Sequence, residues 1–274
     1  MSKTVIRPST FTKISLRELL GYKELFWSLA LRDYKVRYAQ TSIGLLWAFI
    51  QPVTSILILN VVFGRFANVD SEGLPHILYT TSGMVCWTYF SYVLTNSGNS
   101  IIASQAMIKK IFFPRIIVPI SKAVVGLIDF AIVLLILSAM MFYYGVEPAS
   151  NIAALPLFLL LNVISALGIG IWISALTVRF RDFQYVVPFL VQLGLYISPV
   201  AYPSSYAMEY LPEWAIKLYF LNPIAGVCDG FRWALFGLDS ISELTVLSFV
   251  SGLILFSSGI LYFQRVEGKI ADIV

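Results

Sequence analysis

Residues 31–63 read LRDYKVRYAQTS and then IGLLWAFIQPVTSILILNVVF: the basic side chains Arg32, Lys35 and Arg37, followed from Ile43 to Phe63 by no charge at all. An uncharged apolar run of about 20 residues is what a helix needs to cross roughly 30 Å of hydrocarbon. Basic residues beside a span stay cytoplasmic, so this junction also sets a direction, inside to outside.

Five further runs of this kind follow, at 77–94, 123–144, 152–178, 183–201 and 244–263, and Asp129 is their one charged residue. Sixteen of the nineteen Lys and Arg residues fall into four clusters: Lys3 to Arg37, Lys109 to Lys122, Arg179 with Arg181, and Arg265 with Lys269. The alternate connections carry acids instead, Asp70 and Glu72, Glu147, then Glu209, Glu213, Asp229, Asp239 and Glu243. The expected fold is therefore an all-α membrane protein, one transmembrane domain over residues 1–274. It has six transmembrane helices and both termini cytoplasmic, as in a multi-pass protein of a bacterial inner membrane.

Composition excludes other classes. A chain that is 58% hydrophobic and 12% charged cannot hide its apolar surface in one soluble core. The net charge of +4 comes from cytoplasmic loops facing anionic lipid, which argues against nucleic acid as a partner. Cys86 and Cys228 have neither metal spacing nor the number for a disulfide framework. The first apolar run begins only at Ile43, behind a long charged segment, so no cleavable signal peptide is expected. There is no phosphate loop, because Gly268-Lys269 is followed by Ile270. With no nucleophile–base pair or metal cluster either, the chain is expected not to be an enzyme and to bind no cofactor.

Three segments outside the spans are structured. Ser15-Leu16-Arg17-Glu18 has the capping-box pattern, and a helix over 15–38 places Tyr22, Leu25, Phe26 and Leu29 on one face. It either lies along the membrane surface or merely leads into span one. A second helix is expected over 100–112, capped by Asn99 or Ser100, with more apolar residues (Ile101, Ile108, Ile111, Phe112) than a solvated loop needs; such a surface suits a docking partner. From 203 to 243 the chain is too polar for a span. Two short half-helices dipping into the outer leaflet, broken near Asn222-Pro223, are one reading, and an ordinary periplasmic loop is the other. Within span four, Ala166, Gly170 and Ser174 form a small-residue stripe for close packing.

Intramembrane acids are costly, which makes Asp129 a functional suspect. It either carries protons in an ion-coupled secondary carrier or pairs with Lys122, about 10 Å along the same helix. His76 has no partner imidazole and reads as an interfacial residue. Aromatics near span ends, Trp47, Tyr196 and Tyr202 among them, form an interfacial belt or offer rings on which sugars stack.

Four segments, in order and on the proper sides of the membrane, resemble one family. These are Leu31 through Tyr38 with Thr41 through Trp47 and Gln51-Pro52; Phe112-Phe113-Pro114-Arg115; Val178 through Asp182 with Ser198 through Pro203; and Leu221-Asn222-Pro223-Ile224 through Phe231-Arg232-Trp233. They are similar to the permease subunits of ABC-2 type exporters of O-antigen, capsule and teichoic acid, and the likeness covers nearly the whole chain. Ile43 stands where these exporters often have Leu. The resemblance implies a homodimer joined to two copies of a separate ATPase subunit, which would hold ATP and Mg. The implied substrate is a polyprenyl-pyrophosphate-linked glycan, passed through a channel at the dimer interface. Trp47, Tyr196 and Tyr202 become lining candidates. The 100–112 helix becomes a coupling helix with Ile101, Gln105, Ile108 and Lys109 toward the ATPase. The 15–38 helix becomes an interface helix, and residues 203–243 a periplasmic gate with Asn222, Pro223 and Arg232. Arg32, Lys35 and Arg37 at the cytoplasmic mouth either bind the pyrophosphate through charge-assisted hydrogen bonds or only orient the chain. An exporter of drugs or other lipids on the same scaffold is the nearest alternative.

Overall fold

The computed structural model describes residues 16–38, 46–238 and 241–273. Ser15 of the capping box, Thr41 and Ser42 with the first three residues of the expected span one (Ile43 to Leu45), Lys3, Arg7 and Lys13 of the first basic cluster, and Asp239 lie outside them. Every regular element among the described residues is helical. In chain order these are α1 (Leu16–Gly21), α2 (Lys23–Tyr38), α3 (Leu46–Leu59) with a widened π-helical end (Asn60–Phe66), α4 (His76–Ala103), α5 (Gln105–Ile108) and α6 (Ile117–Tyr144). After a 3-10 turn (Ser150–Ala154) come α7 (Leu155–Arg179), α8 (Phe183–Ile197), α9 (Ser204–Tyr210), α10 (Glu213–Phe220), α11 (Pro223–Phe236) and α12 (Glu243–Ile273).

Among the described residues, four helical stretches are long and apolar enough to cross a membrane: Leu46–Phe66, Ile117–Tyr144, Ser150–Arg179 and Glu243–Gly268. The other two expected spans differ for separate reasons. The run at 77–94 makes up most of the first two-thirds of α4, whose 28 residues give ample length, but Thr80, Thr81, Ser82, Thr88 and Ser91 in the run, with Asn96 and Ser97 beyond it, lower the helix's hydropathy. Those groups are satisfied inside the protein: Thr81 Oγ1 donates to the Ile77 carbonyl at 2.6 Å, and Ser97 Oγ to the Pro119 carbonyl at 2.8 Å. α8 is apolar but has 15 residues, about 22 Å of helix.

The core forms around α4. It packs on α6 and α7, α7 packs on α12, and α11 wedges among α4, α7 and α12. The stripe in span four faces this core. Ala166 and Ser174 are fully buried, and a Cβ at Gly170 would lie 2.7 Å from Ser97 Cβ, so the α4–α7 crossing needs glycine there. α3 and α8 stand at the margin. Val187 is the one buried residue of α8, and α3 leaves Leu46, Trp47, Leu57 and Ile58 at least half exposed.

One expected element is corrected. No helix runs over 100–112: α4 continues through Ala103, Ser104 turns out of helical geometry (φ −107°, ψ 15°), and only one turn, α5, follows. Ser100 does not start a helix because its hydroxyl donates back to the Ser97 carbonyl at 2.6 Å inside α4.

Candidate functional site

A cleft of about 420 Å³ lies between α3, α4, α6 and α8. Its wall carries neutral hydrogen-bonding groups, Gln51, Ser55, Thr88, Ser91, Thr95 and Gln192, beside the rings of Trp87 and Tyr92. Gln51 and Ser55 come from the apolar helix α3 and Gln192 from the apolar helix α8, while Thr88, Ser91 and Thr95 belong to the more polar α4. Gln51 precedes Pro52, which lacks the N–H that would bond one turn back, and Ser55 Oγ donates to the Gln51 carbonyl at 3.1 Å. At one end of the cleft stand two charged groups, Arg37 and Asp129.

Asp129 is held from outside its own helix. Arg37 Nη1 lies 2.7 Å from Asp129 Oδ2, and the Tyr38 hydroxyl donates to Oδ1 at 2.6 Å. The Arg37 guanidinium also sits 4.3 Å above the Tyr92 ring. Burial opposes the Arg37 charge, but Asp129, Tyr38 and Tyr92 outweigh it, and its pKa is raised. Burial, reinforced by the bond to Asp129, likewise pushes the Tyr38 phenol up, so it stays a donor. The expected pairing of Asp129 with Lys122 is corrected: Lys122 Nζ bonds Asp33 Oδ2 instead. Two ion pairs of opposite polarity, Asp33 with Lys122 and Arg37 with Asp129, therefore fasten α2 along α6.

Of the three expected entrance cations, Arg37 alone lines the cleft. Arg32 is exposed and turned onto its neighbour Asp33 at 3.0 Å, and Lys35 is exposed. Trp47, Tyr196 and Tyr202, expected at an interface between two copies, do not line this cleft. Trp47 and Tyr196 are about half exposed on the outward faces of α3 and α8. Tyr202 folds back, its hydroxyl donating to the Ile197 carbonyl at 2.6 Å and its ring 5.9 Å from that of Phe63. The cleft wall instead includes Gln51, Trp87 and Gln192, none of them among the expected lining residues. Lone amides inside uncharged runs were the available signal.

At the α5 end of the bundle, Ile101 is fully buried and Ile108 nearly so, because both pack into the core below the turn. Gln105 is half-buried and Lys109 exposed. What projects is the tip after α5, with Lys109 and Lys110 exposed, Ile111 at 56% and Phe112 at 84% exposure.

On the opposite side, Asn222 Oδ1 accepts from the Ile224 N–H at 3.3 Å and caps α11, with Pro223 in its first turn. Asn222 Nδ2 also donates to Ser198 Oγ at 2.9 Å. Arg232, fully buried on α11, donates to the Val200 carbonyl at 2.7 Å and to Ser82 Oγ at 3.2 Å, and stacks 3.8 Å from the Tyr79 ring centroid. Gly83 is required at this contact: a Cβ would meet the Val200 oxygen at 2.2 Å. Asn222 and Arg232 together tie the chain just past α8 to α11.

Residues 24–236 match the family model described as ABC-2 type transporter. The chain belongs to that family. The matched segment runs from α2 through α11, so the ion-paired helix, the cleft and Arg232 all lie within it. Among relatives of this ABC-2 transporter chain is an O-antigen export system permease protein of Klebsiella pneumoniae, 28% identical, covering 95% of this chain and 99% of the relative. A polysialic acid transport protein of Escherichia coli is 25% identical over 89% of this chain and 95% of its own length. A capsule polysaccharide export inner-membrane protein of Neisseria meningitidis is 22% identical, at 83% and 84% coverage.

Proposed function

We propose that this ABC-2 family chain is the membrane subunit of an ATP-driven exporter that moves a lipid-linked polysaccharide, O-antigen-like in class, from cytoplasm to periplasm. The observation that carries the reading is the cleft: amide and hydroxyl groups interleaved with aromatic rings, between the polar face of α4 and the apolar helices α3 and α8. Sugars present hydroxyls to such amides and C–H faces to such rings, and a wall of neutral groups binds each residue of a polymer weakly enough for it to move on. Relatives named for O-antigen, polysialic acid and capsule export support the same substrate class.

In this reading α4 and α8 are the remaining two of six spans in a bacterial inner membrane, and both termini are cytoplasmic. α8 crosses with the help of the Ser198–Pro203 turn, and α9 to α11 form the periplasmic gate. Two copies join across α3 and α8, and two ATPase subunits dock at the Lys109–Phe112 tips and bind ATP and Mg. Arg37 stands where a polyprenyl diphosphate would pass, available through the donors that Asp129 does not use. The ion-coupled carrier is disfavoured by the Arg37 and Tyr38 contacts, which occupy both oxygens of Asp129.

The deciding experiment is reconstitution of the chain with its ATPase subunit in liposomes, supplied with a polyprenyl-diphosphate oligosaccharide. ATP-dependent transfer across the bilayer is the expected result. Transfer driven by a proton gradient without the ATPase would overturn the reading.

A further inference from the structure

The cytoplasmic end of α12 is clasped to the chain just before α6. The Arg115 main-chain N–H donates to Glu267 Oε1 at 2.7 Å, and the Arg115 guanidinium donates to the Glu267 carbonyl oxygen. Glu267 is 8% exposed, so this carboxylate is covered rather than solvated, with Oε1 engaged and Oε2 buried without a hydrogen-bond partner among the described residues. It sits beside the start of α6, where a helix's first N–H groups lack internal partners and favour a negative group.

The clasp lies under the projecting tip. Ile108 and Phe113 are buried on either side of Lys109–Phe112, at 6% and 4% exposure, and Arg115 is held by Glu267 two residues later. A push on Phe112 therefore has two outlets. One is covalent, into α6. The other runs through Glu267 into α12, which packs along α7 and α11, and α11 carries Arg232 against the Val200 carbonyl. Energetic coupling between distant sites travels through such contiguous packed and hydrogen-bonded groups, and demonstrating it needs a measured coupling.

We propose that Glu267 is a positioning residue that couples the Lys109–Phe112 tip to α12, so that motion imposed at the tip reaches the periplasmic helices. The inference rests on the reading that the tip meets an ATPase.

The test uses the assembled permease–ATPase complex in liposomes with the same oligosaccharide probe, measuring ATP hydrolysed per glycan transferred. Glu267→Gln keeps the reach and the acceptor oxygen, and is expected to stay within about twofold of the unmodified ratio. Glu267→Asp keeps the charge but shortens the arm, and Glu267→Ala removes both; each is expected to raise the ratio about fivefold or more. A purely structural role would lower thermal stability and complex yield without separating hydrolysis from transfer. If Glu267→Ala fails to accumulate, the Asp and Gln pair decides. An unchanged ratio in Glu267→Asp, or a Glu267→Gln ratio as poor as that of Glu267→Asp, overturns the proposal. Failure of the underlying reading looks different, since a Phe112→Asp chain would then co-purify with the ATPase as well as the unmodified chain does.

Discussion

At the scale of single residues, the contact between α2 and α6 turns on Asp129. A carboxylate placed on an apolar helix is tolerated when charge and hydrogen bonds answer it, and here a guanidinium and a phenol do so. Removing one partner is worse than removing both. Arg37→Ala is expected to cost about 1–3 kcal/mol, less than for a fully buried pair because Arg37 keeps some contact with solvent. Arg37→Ala combined with Asp129→Asn should recover most of that loss, read as melting temperature of the purified protein. A proton carrier would behave otherwise, since Asp129→Asn alone would abolish transport whatever stood at position 37. The acid itself was legible in the sequence, as the one charge within an apolar run. Its partner was not, because seven-residue spacing suggested Lys122 on the same helix while Tyr38 lies 91 positions away and only tertiary packing brings it near.

At the scale of elements, the spans with clean apolar runs were legible and the transitions between them were not. α4 shows why. The capping capacity of Asn99 and Ser100 predicts a second helix starting there, yet the Ser97 and Ser100 hydroxyls bond within the helix bundle and α4 runs on to Ala103. Burial then redistributes the roles of the loop: Ile101 and Ile108 belong to the core, and Phe112 with Ile111 forms the surface. Two substitutions of similar chemistry should consequently have opposite readouts. Phe112→Asp is expected to reach the membrane at normal levels and melt normally while losing co-purification of the ATPase subunit by about tenfold or more, as for an apolar contact at the centre of an interface. Ile101→Asp places an uncompensated carboxylate in the core and should prevent accumulation of folded chain altogether, visible as low membrane abundance and rapid proteolysis. Comparable behaviour of the two would return the docking surface to the buried face.

At the scale of the whole molecule, the cleft raises a question of cover. Its amides and hydroxyls are costly against lipid, yet within the single chain it is bounded by two marginal helices that expose much of their surface. A second copy of the chain can supply the missing wall, because α3 and α8 of each protomer would then face those of the other and shield both clefts. The outward residues of this face are Trp47 on α3 with Phe189 and Tyr196 on α8, while Phe142, 91% exposed at the end of α6, marks a different side. In a chain carrying Cys86→Ser and Cys228→Ser, single substitutions Trp47→Cys and Tyr196→Cys are each expected to give covalent dimers in native membranes. The reagent should be a bifunctional maleimide, since residues facing across a channel stand farther apart than the 7 Å or so between Cα atoms that a disulfide allows. Phe142→Cys should label with a monofunctional maleimide yet remain monomeric on a denaturing gel. Equal cross-linking at all three positions would reflect random collision in the membrane. Cross-linking confined to Phe142→Cys would put the dimer contact on α6, leaving α3 and α8 facing lipid and the polar cleft in need of another cover.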